Sequence, residues 1–343
     1  MLYGLKTALS TIQNPLPQIP ERTLIKCPFC GGYMLADDKR YTCYSCCRSG
    51  NIVDFIAEKN HTSHKKAELR ARKDKPDKRE QAEIYRCNKL AMLYYKSRLC
   101  DCDYFDKRKV SEQVVSAFHL GYAPQESADL IAYLKKHNVS DETIAESHLC
   151  CQDSQNPIFW NRAIFPIIDE FGRIVGFGGR KLNDDNPKSP KYLNSAESSV
   201  FSKKNTLYGL GNALGNDTVY LVEGYMDVLA LYGAGITNAV AALGTAVGVN
   251  HCTLLRDKGI KKVMLCMDSD GAGIKSAMRA IPILRNYFEV KVVALEGAKD
   301  PDEYLSANGR EAFERLEKVN GDSFFVEHCS EDEKYSRALD FLL

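Results

Sequence analysis

The chain has no long hydrophobic run: nothing in its 343 residues approaches the roughly 18 consecutive apolar positions of a membrane-crossing helix. The first twenty residues carry Pro15, Pro17 and Pro20 among polar side chains and lack the apolar core of a signal segment. The sequence therefore reads as soluble and cytoplasmic, with no membrane partner. A charge excess is missing too. Lys and Arg total 46 against 45 Asp and Glu, a formal net charge of +1, so any grip on nucleic acid must come from local patches rather than from a field over the whole molecule. Nor is there a regular disulfide framework. Thirteen cysteines is an odd number; four fall in two close pairs, while Cys47, Cys87, Cys100, Cys102, Cys150, Cys151, Cys252, Cys266 and Cys329 do not, a pattern of reduced thiols plus one metal cluster. Finally, a Walker loop is absent. "GAGIKSA" places Ile274 between Gly273 and Lys275, and the loop needs Gly, Lys and Ser or Thr in direct succession. A P-loop motor within this polypeptide is excluded.

What is present begins with "KCPFCGGYMLADDKRYTCYSCCRSGNIVDFI". Cys27 and Cys30 form one CxxC unit and Cys43 and Cys46 a second, twelve residues later. Each unit puts two thiolates on one tight turn, and two such turns at the ends of a hairpin close a tetrahedral zinc site with bonds of about 2.3 Å. Tyr33, Met34 and Tyr41 supply strands and "ADDK" the turn. A ribbon this small cannot fold on hydrophobic burial alone, so one structural zinc would supply much of its stability. Cys47 abuts Cys46 and is an alternative ligand; His61 and His64, further on, read as solvated residues.

From Glu58 to Glu80 the chain carries nine Lys and Arg against five acids and few large apolar residues. This is a tether or a solvated helix. Its basic excess adds at most nonspecific attraction for phosphate. Residues 88 to 150 read as mainly helical, with Ser111 as an N-cap, an apolar stripe through Val114, Val115 and Phe118, and a stop at Gly121 and Pro124. "RAIFPIIDEFGRIVGFGGR" then alternates like two strands joined at "DEFG". In the stretch that follows, Lys188, Lys191, Lys203 and Lys204 alternate with Tyr192 and Tyr208, the mixture a groove for a single strand or a nucleoside triphosphate would use. On composition alone a solvated surface fits as well.

Three later stretches share one design. "TVYLVEGYMDVLALYGAG" is a buried-type strand, then Glu223 and Gly224, then a helix with Asp227. "KKVMLCMDSDGAGIKSAMRAIPILRN" is a strand ending in Asp268 and Asp270, then a helix. "EVKVVALEGAKDPDEYL" is a strand followed by Asp300, Pro301, Asp302 and Glu303. Strands alternating with helices imply a mainly parallel sheet, and acids that follow the strands gather at its carboxyl edge. Carboxylates brought together repel one another unless a cation holds them, and magnesium, which takes oxygen ligands at about 2.0–2.1 Å, is the natural occupant. Each aspartate taken singly can also be a simple helix N-cap.

Taken together, the cysteine ribbon with "SGNIVDFI", then "YFDKRKVSEQVVSAFHLGYAP", "RAIFPIIDEFGRIVGFGGR", "PKYLNS", "LYGL", "EGYMD", "DSDGAG" and "DPDEYL" resemble the bacterial-type, DnaG-like DNA primases. The eight stretches come in that family's order and cover most of the chain. The last three are similar to the TOPRIM signature that some topoisomerases and nucleases share. The resemblance implies an α/β fold: a TOPRIM parallel-sheet core, an α+β basic subdomain before it, and a small zinc ribbon in front. The implied division is a ribbon domain over residues 1–57 (ribbon proper about 24–57), a charged linker over 58–87, the basic subdomain over 88–214, TOPRIM over 215–305 and a short helical segment over 306–343. The implied activity is synthesis of short RNA primers on single-stranded DNA from ribonucleoside triphosphates, assisted by magnesium or manganese. Glu223 then matches the family's acid that serves as metal ligand or proton acceptor. Asp268, Asp270, Asp300 and Asp302 match its metal-binding positions, with Asp227 in support. Arg162, Arg180, Lys191, Tyr192, Asn194 and Lys203 match the basic face for template and incoming nucleotide.

Two departures stand out. Family ribbons usually carry His at the second ligand position and a longer spacer; here Cys30 fills that position, which keeps zinc binding and leaves template preference open. The chain also ends about forty residues after "DPDEYL", so the helicase-binding domain of cellular members is expected to be absent, with contact to a replicative helicase made differently or not at all. Such a short form would suit a phage or mobile element. The competing readings are a TOPRIM nuclease or topoisomerase-like cleaver, and a non-catalytic zinc-containing module that binds single-stranded DNA. A topoisomerase needs a nucleophilic tyrosine in a separate large domain, and a binding-only module gains nothing from acids facing a polyanion.

Overall fold

Four short strands, β1 (Thr23–Lys26), β2 (Tyr33–Ala36), β3 (Arg40–Cys43) and β4 (Ser49–Asn51), pair antiparallel in that order. Gly31 takes a φ of +74° in the first cysteine turn, the left-handed backbone that glycine adopts without a side-chain clash, and its N–H donates to the Cys27 carbonyl at 2.9 Å. Met34, Ala36, Tyr41 and Phe55 are buried. Phe55 stands edge-on to Tyr41 and to Phe29, with ring centres 5.3 and 5.5 Å away. That is a handful of side chains, too few to carry a fold without help from a metal.

The structure, a computed structural model, describes residues 23–36, 40–43, 45–51, 54–55, 78–125, 128–151, 156–183, 189–213 and 215–329. Most of the charged connector, including His61 and His64, lies outside them, as do Asp37, Asp38 and Lys39 of the hairpin turn, Lys188, residues 1–22 and residues 330–343. The chain divides into two units, residues 1–80 and 81–343. Among the described residues no helix is long and apolar enough to cross a membrane.

Helix α1 (Lys78–Ser97) starts inside the stretch read as linker. Ile84, Cys87, Ala91 and Tyr95, three to four residues apart, bury one face, and that spacing gives the charged sequence a helical stripe to pack. Two short helices follow, α2 (Tyr104–Lys107) and α3 (Glu112–Ala117). Ser111 caps α3 as expected, its Oγ accepting the Val114 N–H at 3.4 Å. Gly121 does not merely stop a helix: Gly121–Ala123 is strand β5, paired antiparallel with Arg162–Ile164. A Cβ on Gly121 would fall 2.7 Å from the Tyr95 backbone, so only glycine lets β5 lie against α1. After α4 (Ala128–Lys136) and α5 (Asp141–Glu146) come β6 (Arg162–Ile168), β7 (Ile174–Lys181) and β8 (Tyr192–Asn194), closing an antiparallel sheet of order β5-β6-β7-β8. The β6–β7 turn falls on "DEFG", where Asp169 Oδ1 accepts the N–H groups of Phe171 and Arg173, both at 2.9 Å.

The second sheet has the order β14-β13-β12-β10-β11-β9. Its members are β9 (Leu207–Tyr208), β10 (Thr218–Val222), β11 (Ala239–Ala242), β12 (Lys262–Leu265), β13 (Glu289–Val293) and β14 (Lys318–Asn320). The four central strands are parallel and the two edges antiparallel. The helices between and after them are α6 (Tyr225–Gly233), α7 (Val249–Asp257), α8 (Gly271–Leu284), α9 (Pro301–Arg315) and α10 (Gly321–His328). Alternation along the strands sorts the faces. Val219, Leu221, Val263 and Leu265 pack with α7 and α8, whereas Tyr220, Val222, Met264 and Cys266 pack with α6 and α9. Each such buried aliphatic side chain contributes about 1.5–3 kcal/mol.

Tyr225 joins the two sheets. Its ring lies against Phe165, Tyr192 and Tyr208 at 4.9, 5.9 and 4.6 Å between centres, and its hydroxyl donates to Asn194 Oδ1 at 2.7 Å. Beneath it, a Cβ on Gly178 would sit 2.4 Å from the Tyr225 ring. The tyrosine is held on every side and cannot swing away, so Gly178→Ala should destabilise the second unit by about 1–3 kcal/mol. Thermal or denaturant unfolding checks this; an unchanged midpoint would show that Tyr225 has room to move.

Candidate functional site

The carboxyl ends of β10, β12 and β13 lead to Glu223, Asp268 and Asp300, of which Asp300 is bonded to the helix that follows it and Glu223 to the Asp268 backbone. Glu223 is half-buried, and its Oε1 accepts the Asp268 N–H at 3.3 Å. Burial raises its pKa, with the Asp268 N–H opposing. Asp268 is pushed up to about 6 by burial and by the negative charges of Glu223 and Asp300. Asp227, in the first turn of α6, is buried, and its Oδ2 accepts the Gly224 N–H at 3.0 Å. Burial and the charges of Asp300 and Asp268 lift it to about 8.

Two acids are indeed N-caps. Asp270 Oδ1 accepts the N–H groups of Ala272 and Gly273 at 2.9 and 3.0 Å, which holds its pKa below the usual value. Asp300 Oδ1 accepts the Glu303 N–H at 2.8 Å. Capping occupies one oxygen of each and leaves Oδ2 for a ligand, so the capping and metal-binding readings are compatible. Gly273 is required here, because a Cβ would fall 1.9 Å from the Asp268 carbonyl oxygen.

The loops after β12 and β13 are locked together. The Ser269 N–H donates to the Lys299 carbonyl at 2.8 Å and the Ser269 hydroxyl to the Ala298 carbonyl at 2.9 Å. Lys299 Nζ stands 3.9 Å from Asp268 Oδ2. Asp302 is paired with Arg108 from the other end of the unit; burial raises its pKa and Arg108 works against that.

The predicted basic face divides. Lys191 is exposed and Lys203 partly so. Arg180 lies with its guanidinium 5.2 Å from the Tyr104 ring centre and 5.5 Å from that of Tyr192, and donates to the Tyr192 hydroxyl at 3.1 Å. Arg162 differs: it is buried, and its guanidinium donates to the carbonyls of Gly179 and Pro190 and to Ser189 Oγ at 2.6–3.1 Å. It anchors the segment that leads to Lys191 and offers no open face. Asn194 likewise bridges the sheets, donating to the Leu243 carbonyl at 3.0 Å while accepting from Tyr225.

In the ribbon, one ligand atom from each of Cys27, Cys30, Cys43 and Cys46 lies within 4.8 Å of all the others, and among the described residues this is the one such group of three or more. Cys47 is not in this group: it is exposed, with a backbone φ of +57°. The thiols are unequal. Burial pushes Cys27 up to about 12, while the Arg48 backbone N–H draws Cys46 down to about 6. Four sulfurs at this spacing fit a tetrahedral metal.

Sequence reasoning passed over Lys299, Arg108 and Tyr225. Lys299 was findable, as a cation next to Asp300. Tyr225 lies inside "EGYMD" but looked like a core residue, and nothing local ties Arg108 to a partner 194 residues away.

Comparison with known proteins gives a consistent picture. Residues 92–214 match the family model described as DNA primase catalytic core, N-terminal domain, and residues 220–305 match the Toprim-like model. A DNA primase of Clostridium acetobutylicum is 34% identical over 318 residues, 84% of this chain and 53% of that protein; the chain thus spans about half the length of the curated relatives it matches. Among solved structures, the zinc-binding and RNA polymerase domains of the Aquifex aeolicus primase superpose with a TM-score of 0.67 at 28% identity, covering 98% of this chain and 90% of that one. A DnaG primase catalytic domain bound to single-stranded DNA gives 0.63 at 30% identity, covering 73% and 83%.

The acidic edge dictates a pH response. Asp268 and Asp227 ionise near 3.8 when unfolded but only near 6 and 8 when folded. Between roughly pH 4 and pH 8 the native state therefore holds more protons, and stability falls as pH rises. Measured in chelator, the metal-free chain should lose stability across this range relative to Asp227→Asn, and saturating magnesium should shrink the difference. Parallel profiles for the two proteins would rule out a strained carboxylate at position 227.

Proposed function

The chain belongs to the DnaG-type DNA primase family, and on that footing we propose that it is itself a primase, a DNA-directed RNA polymerase that makes short RNA primers on single-stranded DNA. The observation that carries this reading is the meeting of three strand-end acids at one sheet edge, in the same unit as a cationic, aromatic face built on the other sheet.

The donor chemistry suits a hard divalent ion, because the oxygens are anionic and because burial and the charges of Glu223 and Asp300 hold Asp268 above its usual pKa; among the described residues only the ribbon sulfurs are already gathered within one coordination sphere, so the acids would draw together on binding. Glu223, Asp268, Asp270 and Asp300 would hold magnesium or manganese. Such an ion supplies positive charge to phosphate oxygens and acidifies a 3′-hydroxyl. The chain's own residues do the positioning. Lys191, Arg180 and Lys203 attract and orient the triphosphate and the template backbone, and Tyr192 offers a ring face beside them. Arg162 and Asn194 keep that face in place from behind. Glu223, whose pKa burial raises, is suited to accept a proton. In the ribbon, Cys27, Cys30, Cys43 and Cys46 would hold one zinc. Tyr33, exposed there, and Arg48, over the Phe29 ring at 5.2 Å, offer template contacts. Single-stranded DNA and ribonucleoside triphosphates are the partners this reading requires, and the cytoplasm is where it would act.

Incubation with single-stranded template, four ribonucleotides and magnesium or manganese should yield labelled oligoribonucleotides. Asp268→Ala should reduce the yield on the order of a hundredfold or more; undiminished synthesis by that variant removes the site, and template cleavage without synthesis favours a nuclease.

Metal analysis should find about one zinc per chain, lost with the ribbon's fold when Cys27 and Cys43 are both changed to Ser. Full occupancy in the double variant would refute the ligand set.

A further inference from the structure

Helix α2 is one turn long, yet it touches both halves of the site. Tyr104, at its start, lies under the Arg180 guanidinium of the cationic face. Phe105, buried, packs edge-on against Phe165 of β6 with ring centres 5.5 Å apart and so fixes the helix to the antiparallel sheet. Arg108, directly after the helix, pairs with Asp302 in the first turn of α9, next to the acidic edge. The turn after Arg108 is a left-handed helix end of the kind that His119 and Asn138 also make. Lys109 takes a φ of +55°, while the Lys109 and Val110 N–H groups close back on the Asp106 and Phe105 carbonyls, both at 2.9 Å. That cap ends α2 directly after Arg108 and fixes where the chain leaves it. Behind the ion pair lies a cleft of about 350 Å³ lined by Met226, Leu229 and Leu305, so the pair bridges α2 and α9 across open space there.

We infer that α2 is a bracket that sets the distance between the cationic face and the acidic edge, with Arg108 a positioning residue that acts through Asp302. Asp302 is then committed to Arg108, and the metal-holding set is Glu223, Asp268, Asp270 and Asp300. The inference rests on the polymerase reading for its catalytic consequence and on geometry alone for the pairing. Placement errors of about an ångström between reacting groups cost up to about a hundredfold in rate. A bracket of this kind therefore governs turnover more than substrate affinity.

Arg108→Gln, Arg108→Lys, Asp302→Asn and the Arg108→Gln/Asp302→Asn double variant separate the possibilities, each assayed for primer yield well below its unfolding midpoint, for nucleotide KM and for thermal stability. Arg108→Gln should lower kcat about tenfold or more with KM changed less than threefold, and Arg108→Lys should recover part of the loss. Asp302→Asn added to Arg108→Gln should cost little more than either alone, in turnover and in midpoint, because both remove one contact. Losses that multiply, or a KM that rises while kcat holds, overturn the bracket. A wild-type chain that makes no oligoribonucleotide overturns the polymerase reading instead, and the bracket is then decided by the thermal cycle, where additive shifts sink it.

Discussion

Tyr225 is the contact on which the rest of this site depends. It follows Glu223 by two residues, so the backbone that delivers an acid to the sheet edge also delivers the ring that holds the neighbouring sheet. Its face and edge contacts with Phe165, Tyr192 and Tyr208 each contribute about 0.5–1.5 kcal/mol beyond burial, and its hydroxyl donates to Asn194 at the end of β8. Tyr192, which lies beside Arg180, is thereby held in a fixed relation to the acidic edge. The glycines of "GFGGR" serve this arrangement: Gly178 makes room for Tyr225 and Gly179 for Phe159.

Electrostatics pull the other way from packing. The sheet edge sets Glu223 and Asp300 near enough to Asp268, and Asp300 and Asp268 near enough to Asp227, for charge to add to burial in raising both, and Lys299 beside Asp268 does not offset this. The molecule accepts this cost where chemistry needs charge, and offsets it with helix N-termini at Asp270 and Asp300 and with the extensive apolar packing on both faces of the parallel sheet. The ribbon has the same property on a smaller scale. Its four sulfurs converge on one point while few apolar side chains surround them. The sulfurs are gathered closely enough for one metal to complete the ribbon, whereas the acids are spaced more widely.

Much of this was legible in the sequence because the signals are local. The two CxxC turns, the "DEFG" hairpin, the Ser111 cap and the pattern of strand, acid and helix each lie within a few residues, and the α/β fold with its parallel core follows from them. β5, β11 and the two antiparallel edge strands were not read, because strands of two to four residues show too little alternation unless, as at β12, a following acid and helix mark them. The basic face was legible as a composition and not as a set of directions. Arg162 and Lys191 look alike as letters, but one is buried among carbonyls and the other is exposed. Capping and metal binding at Asp270 stood as rivals in the sequence; the structure shows the cap, made through Oδ1 alone.

By itself the sequence determined which residues could carry charge, sulfur and apolar surface, and at what spacing, because knuckles, caps and strand ends are made by near neighbours. Tertiary structure decided which of them face one another: Arg108 with Asp302, Tyr225 with Asn194, Ser269 with the Lys299 backbone. Those pairings join residues between 30 and 194 positions apart. No local pattern encodes them; they exist only once both sheets have packed.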